Sequence, residues 1–436
     1  MLEVAKKLTV FLTALAMVAL LGASAQAGAK VQLTFWTPYG GALQELYEKI
    51  AAEFSRTHPD MEARHLSVPW EGYFQKLATA SLSRTAPEWV HLWGNQAITL
   101  ADMGVALPLD DFLAEDKSVK KEDYYASRWA QFVWNGKVWG LSPGQQIALL
   151  YWNKDMFAAA GLDPEKPPSY FEEADAYASR MFKKDAAGKF TSVGFLPLWI
   201  WGGFVNYGSL WGGRFLDEKG NITAADPVNV EALQWAIDYY NKYGGVEVVN
   251  NFLEGFKGIA QGDFPWLKGQ QGMAVNHQWV LNYTATYAPN INYGVGMPLV
   301  SRGPGHKGPL VGGDNDIMVK GSRHPKEGWE LFKYFHGGEG EFMRHKSWTT
   351  ASSNVKINSR LRGTLTGYWE RPGMWDTFEK ALTSGKPIPA TPVMSFYEDR
   401  LGAEIDFALR GRKTAKDALM EVQRVVQAEL DKKLKK

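Results

Sequence analysis

Apolar positions alternate at Val31, Leu33 and Phe35. They then recur at helical spacing through Leu43, Leu46, Tyr47, Ile50 and Phe54, which predicts a strand over 31–36 and a helix over 42–54. The same alternation of periods continues with a strand near 61–68, a helix in EGYFQKLATASLSR and a strand in EWVHLW, 88–93. Strands alternating with helices predict a parallel, doubly wound sheet. Downstream, FVWNGKVWGLS reads as a hairpin turning at Asn135-Gly136. IALLYWN reads as a strand, and KDMFAAAG as a helix stopped by Gly161. SYFEEADAYASRMF is expected to open with a capping box, Ser169 as cap and Glu172 three residues on. In the Gly- and Trp-rich run 194–214, Trp199 and Trp201 would share a face if the run were a strand. Further helices are expected over 227–243 and 414–436, and a strand, loop and helix in DIMVKGSRHPKEGWELFKYF.

In doubly wound sheets ligands bind at the carboxyl ends of the strands. WTPYGG, VPWEGY and WGNQ all fall in such βα loops, so Trp36, Trp70 and Trp93 come to one edge. Glycines after Trp36 permit the turn and a close backbone approach. Large aromatics in loops that ought to be polar suggest the lining of a cleft. Trp36, Tyr39, Trp93, Asn95 and Gln96 are the candidates here.

The chain has 436 residues with 48 Lys and Arg against 47 Asp and Glu, 18 Trp, 18 Tyr, 22 Phe and no Cys. Lys6 and Lys7, the apolar run Leu8–Leu21 and the small residues ending at Ala27 have the layout of a secretory signal, residues 1–27. Its removal would leave 46 charges of each sign and about 409 residues, for which two domains are the prior. A neutral chain with no basic run argues against nucleic acid and anionic membranes as partners. The absence of cysteine excludes disulfides, thiolate metal sites, cysteine nucleophiles and an N-terminal lipid anchor. The periplasm is then the expected location. No HExxH, P-loop, nucleophile elbow or Rossmann glycine pattern is present. Acidic pairs such as Asp110-Asp111 or Glu398-Asp399 are ordinary on solvated faces, leaving Asp314/Asp316 for consideration.

WGLSPGQQIALLYWNKDMFAAAGLD resembles a landmark of the bacterial extracellular solute-binding proteins that serve sugar-importing ABC transporters, in the branch of the maltose-, trehalose- and glucose-binding proteins. Trp152 stands where that family usually has Tyr. APEWVHLWGN…LADMGVALPLDDFL before it, and LWGGRFLDEKGNITAADPVNVEALQWAIDYY, GMAVNHQWV and GGDNDIMVKGSRHPKEGWELFKYF after it, are similar to further landmarks of the family, in order, over roughly 30–430. The resemblance implies an α/β fold of two lobes, each a mostly parallel sheet flanked by helices, closing by hinge motion. By analogy one lobe is 28–142 plus 311–355 and the other 143–310 plus 356–436.

The resemblance also places further candidates. Gln145 and Gln146 fall at the first crossing between lobes, and Gly312, Gly313 and Asp314 at the second. Trp211 precedes the family's Gly-Gly, and Trp279 stands where the family often has a stacking Trp. Trp348 and Arg371 complete the set. Aromatic faces suit the apolar C–H face of a pyranose, and Asp, Asn and Gln suit its hydroxyls. The expectation is a monomeric carrier of a carbohydrate, leaning to an oligosaccharide, for a membrane permease, with no cofactor, metal or catalytic residue. A binding protein for a glycerol phosphodiester or polyol is the runner-up. A secreted glycoside hydrolase and an envelope adhesin are the readings of another class.

Overall fold

The computed structural model describes residues 30–93, 96–199, 203–258, 262–303 and 307–435. The apolar N-terminal segment, Asn95 and Trp201 lie outside the described residues. Two sheets organise the molecule. Their strands are β1 (Val31–Thr37), β2 (Met61–Ser67), β3 (Trp89–Trp93), β4 (Gln146–Asn153), β5 (Met273–His277), β6 (Tyr293–Gly296), β7 (Leu310–Gly312), β8 (Asp314–Met318) and β9 (Lys386–Pro387). Among the described residues no helix is long and apolar enough to cross a membrane.

The first sheet runs β8-β3-β1-β2. β1 is parallel to β2 and β3, and β8 is antiparallel at the edge. Helices Gly41–Thr57 and Tyr73–Leu82 connect its strands, as the changing period predicts. Alternation sends Leu33, Phe35 and Trp89 to one face, where Tyr47, Ile50 and Phe54 cover them. Val90 and Leu92 point to the other, against Tyr73, Leu77 and Ile317. Phe35 stacks on Trp89 with centroids 4.5 Å apart.

The second sheet runs β6-β4-β7-β9, with β5 also paired to β4. β4 is antiparallel to β5, β6 and β7, a departure from a simple parallel sheet. The reason is the path of the chain: β4 enters this sheet from the crossing, against the direction of the strands that lead back towards it. Both its faces are covered. Ala148, Leu150 and Trp152 enter one core, and Ile147, Leu149 and Tyr151 the other.

One local expectation fails, and the condition attached to another is not met among the described residues. The helix Phe171–Ala178 begins after Tyr170 with no side-chain cap. Glu173, rather than Glu172, reaches back, and its Oε2 accepts from Ser169 N at 3.0 Å. The run around Trp211 is no strand: Trp199 follows a turn, and Gly203–Trp211 is a helix buried from Phe204 onward. Its apolar residues lie all round the helix, which suits a core element. Helix Gln96–Asp102, packed on β3 and β8, also meets the C-terminal helices, through Thr99 Oγ1 to Pro392 O (3.3 Å) and Lys433 Nζ to Asp102 Oδ2 (2.6 Å).

At one crossing the sheets are a single residue apart. Val311 and Gly312 pair with Ile147 and Gln146 in the second sheet, while Asp314 pairs with Trp93 in the first. Gly313 lies between them at φ +127°, and a Cβ there would sit 3.1 Å from Gln145 Cα. The wholly buried Arg128 clamps this point. Its Nη2 donates to Asp314 O (2.7 Å) and Asn315 Oδ1 (3.0 Å), and its Nη1 to Gln131 Oε1. Gln131 Nε2 in turn donates to Val311 O. Burial lowers the Arg128 pKa to about 9, against the opposing pull of Asp314 and Asp316.

Replacing Arg128 by Ala strips donors from several buried acceptors, so Arg128→Ala is expected to cost about 3–5 kcal/mol. Arg128→Lys should recover little, because an ammonium lacks the planar fork. Denaturant midpoints measure both, and a Lys variant as stable as the parent would show that charge alone suffices.

Candidate ligand-binding site

The candidate site is built on one face of the first sheet. Trp89, His91 and Trp93 alternate onto that face of β3, and the antiparallel register sets Met318 opposite Trp89, Asp316 opposite His91 and Asp314 opposite Trp93. Along the strands the face therefore changes from apolar core, through buried ionisable groups, to an aromatic rim. Trp93 is 38% exposed. Its ring centroid lies 4.9 Å from that of Trp70, and its backbone N donates to Gln96 Oε1 at 3.1 Å. Its indole Nε1 donates to Tyr39 Oη at 3.3 Å. Tyr39 stacks on Tyr47 (5.9 Å), and its Oη lies 2.9 Å from His91 Nε2. Burial raises the Tyr39 pKa, with Asp314 adding to the effect.

The acids are not free. Asp314 Oδ2 meets Arg344 Nη2 at 2.5 Å with both side chains nearly buried. Asp316 lies between two histidines. His336 Nε2 bonds its Oδ2 at 2.8 Å, and His91 Nδ1 approaches Oδ1 to 2.9 Å. That second approach does not have the geometry of a hydrogen bond. Burial alone would raise the Asp316 pKa; the neighbouring His91 and His336 outweigh it and hold the carboxyl well below its ordinary range. The wholly buried Glu341 differs. Its Oε1 accepts from Ser352 Oγ, its Oε2 has no hydrogen-bond partner, and burial pushes its pKa up to about 8.

Tyr39, Trp93 and Gln96 are thus brought together, with Asp314 across the ladder. Trp36 is half-buried, edge-on to Tyr73 at 6.4 Å. Gly312 and Gly313 serve the crossing: a Cβ on Gly312 would lie 2.6 Å from Ile388 Cδ1. Gln146 bonds His277 Nδ1 at 3.0 Å. Trp279 opens the helix Trp279–Tyr287, half-buried, and Trp348 ends the helix Glu339–Trp348, 40% exposed. Asn282 Nδ2 bonds the Trp348 carbonyl at 3.3 Å, linking these two helices.

Two candidates are placed away from the cluster, and a third is turned inward at the crossing. Trp211 is 3% exposed and stacked on Phe171 at 5.3 Å, a core residue because its whole helix is buried. Arg371 lies over the Tyr293 ring at 3.8 Å and donates to Tyr293 O. Gln145 is buried with its Nε2 bonded to Ser352 O, so it ties the crossing inward. His91, His336, Arg344 and Arg128 are absent from the sequence-derived set. Only His91 had a usable signal, lying two residues before Trp93 and so on the same strand face.

The family model of the bacterial extracellular solute-binding proteins matches residues 40–338. The chain belongs to that family. A relative of this binding protein, the sn-glycerol-3-phosphate-binding periplasmic protein UgpB of Agrobacterium fabrum, is 24% identical over 92% of each chain. A solved structure of CpMnBP1 with mannotriose is 26% identical, with a TM-score of 0.77 over 91% of this binding protein and 100% of that chain. An ABC substrate-binding protein from Listeria monocytogenes in complex with cycloalternan shares the fold at 18% identity, with a TM-score of 0.74 over 92% of this chain and 99% of its own. These neighbours bear out the two-lobe α/β architecture and the solute-binding role.

The raised Glu341 pKa gives the binding protein a signed pH dependence. A carboxyl kept neutral in the fold contributes stability that is complete below its unfolded pKa, near 4.3, and lost as pH rises through about 8. In Glu341→Gln that component is absent. The stability of the parent relative to the variant should therefore fall between pH 4.5 and 8, by at most about 1.4 kcal/mol per pH unit. Urea titrations at several pH values test this, and a constant difference would mean Glu341 is ionised in the fold.

Proposed function

We propose that this binding protein captures a carbohydrate, in the size range of a short oligosaccharide, and delivers it unchanged to the permease of an ABC importer. It would act in the periplasm as a monomer, after loss of residues 1–27. Its lobes would comprise 28–142 plus 311–355 and 143–310 plus 356–436, closing because the ligand touches both only in the closed form.

The observation that carries the reading is the exposed Trp93 ring, backed by Trp70 and tied to Tyr39 at the end of β3. Such a ring covers the apolar face of a pyranose, while Gln96, Asp314 and, outside the described residues, Asn95 would meet its hydroxyls. Trp36, Trp279 and Trp348 are further ring candidates. The mannotriose complex of a 26% identical chain supports a sugar. Capture without turnover is supported by the state of the acids. Asp314 is held by Arg344 and Asp316 by two histidines, whereas glycoside hydrolysis needs an opposed pair of available carboxyls.

The glycerol phosphodiester or polyol reading draws on the UgpB relative. Against it, the guanidinium of Arg344 is already compensated by Asp314, and a phosphate calls for a cation left to pair with it. Calorimetry with mannotriose, maltotriose and sn-glycerol 3-phosphate separates the two. A sugar should bind and be recovered intact, and Trp93→Ala should weaken it about 10–100-fold. Binding of the glycerol phosphate with none of the sugars would replace this reading by the second.

A further inference from the structure

Tyr39 and Trp93 have a support that reaches well below the surface. Trp93 Nε1 donates to Tyr39 Oη, and that oxygen lies 2.9 Å from His91 Nε2. His91 is wholly buried, with Asp316 beside its Nδ1; Asp316 is held in turn by His336, whose Nδ1 lies 2.5 Å from Phe332 O. The chain thus runs from the exposed indole to the helix Pro325–Phe335 behind the sheet. A wholly buried imidazole, with a carboxylate 2.9 Å from its far nitrogen and a phenol at the near one, has little freedom to turn away from its partner.

We infer that His91 is a positioning residue: acting through Tyr39, it fixes the plane of the Trp93 indole before any ligand arrives. This rests on the reading of Trp93 as a ligand platform. With its N–H directed to Tyr39, Trp93 offers its ring face to a ligand, so the site selects a flat apolar surface rather than an acceptor atom at this point. Ring preorganisation saves the ordering of a large side chain on binding. Tyr39 is then no direct ligand partner but the link between imidazole and indole. The alternation in WVHLW makes the arrangement possible, since two residues of rise bring His91 and Trp93 to the same face of one strand.

The test has a ligand-free readout and a binding readout. The indole ¹⁵N–¹H resonance of Trp93, assigned by its loss in Trp93→Phe, should be protected from solvent exchange in the parent. It should shift and lose protection in Tyr39→Phe and His91→Leu, and keep most of it in His91→Gln, which retains a polar partner for Tyr39. Mannotriose affinity should fall about five- to tenfold in Tyr39→Phe and His91→Leu. Those losses should drop below about twofold when Trp93 is already Ala, because residues acting through one group are not additive. Tyr39→Phe, nearly isosteric, stands in should His91→Leu fail to fold. An unchanged indole resonance in Tyr39→Phe, or a His91 penalty undiminished beside Trp93→Ala, overturns the inference while leaving the carbohydrate reading intact. An indole response without sugar binding would instead keep the positioning role and remove the carbohydrate reading.

Discussion

The molecule depends on a guanidinium placed where no water reaches it. Arg128 bonds the backbone of β8 directly and, through Gln131, that of β7, so one cation serves the last residues of one sheet and the first of the other. Taking that charge out of water is costly. The nearby carboxylates of Asp314 and Asp316 offset part of the cost and are themselves held by Arg344, His91 and His336. The crossing is thereby fixed in large part by charge and hydrogen-bond geometry.

The candidate site inherits its order from this arrangement. β8 leaves the clamp and pairs with β3, which sets each acidic residue opposite an aromatic or imidazole ring. The same face then passes from Phe35 and Trp89 in the core to Trp93 at the rim. Binding chemistry at the rim and stability of the core are thus adjacent segments of one strand, separated by a single histidine.

Much of the first sheet and its surroundings was legible in the sequence because local pattern and tertiary environment agree there. The strand–helix alternation from Val31 to Trp93 is found within a few residues of its predicted bounds, and the Asn135-Gly136 turn carries positive φ at both residues. The second sheet was harder. β4 is buried on both faces, so its near-continuous apolar run says nothing about direction. Trp211 and Trp93 have the same chemistry in sequence, and only three-dimensional packing sends one to the core and the other to the surface. Arg128 and Arg344 carried no signal, since the Asp314 atoms they bond lie some 186 and 30 residues away.

Gly313 stands at the boundary with the ladder of one sheet ending just before it and that of the other beginning just after. At this strand, any change of angle between the sheets must be taken up almost wholly by the two torsions of one α-carbon. A connection so short concentrates the swing in two bonds and permits little bending elsewhere. The two sheets on either side of it would therefore move as stiff plates about a narrow axis, and the path of closure would be set by the chain's own geometry more than by the shape of what is enclosed.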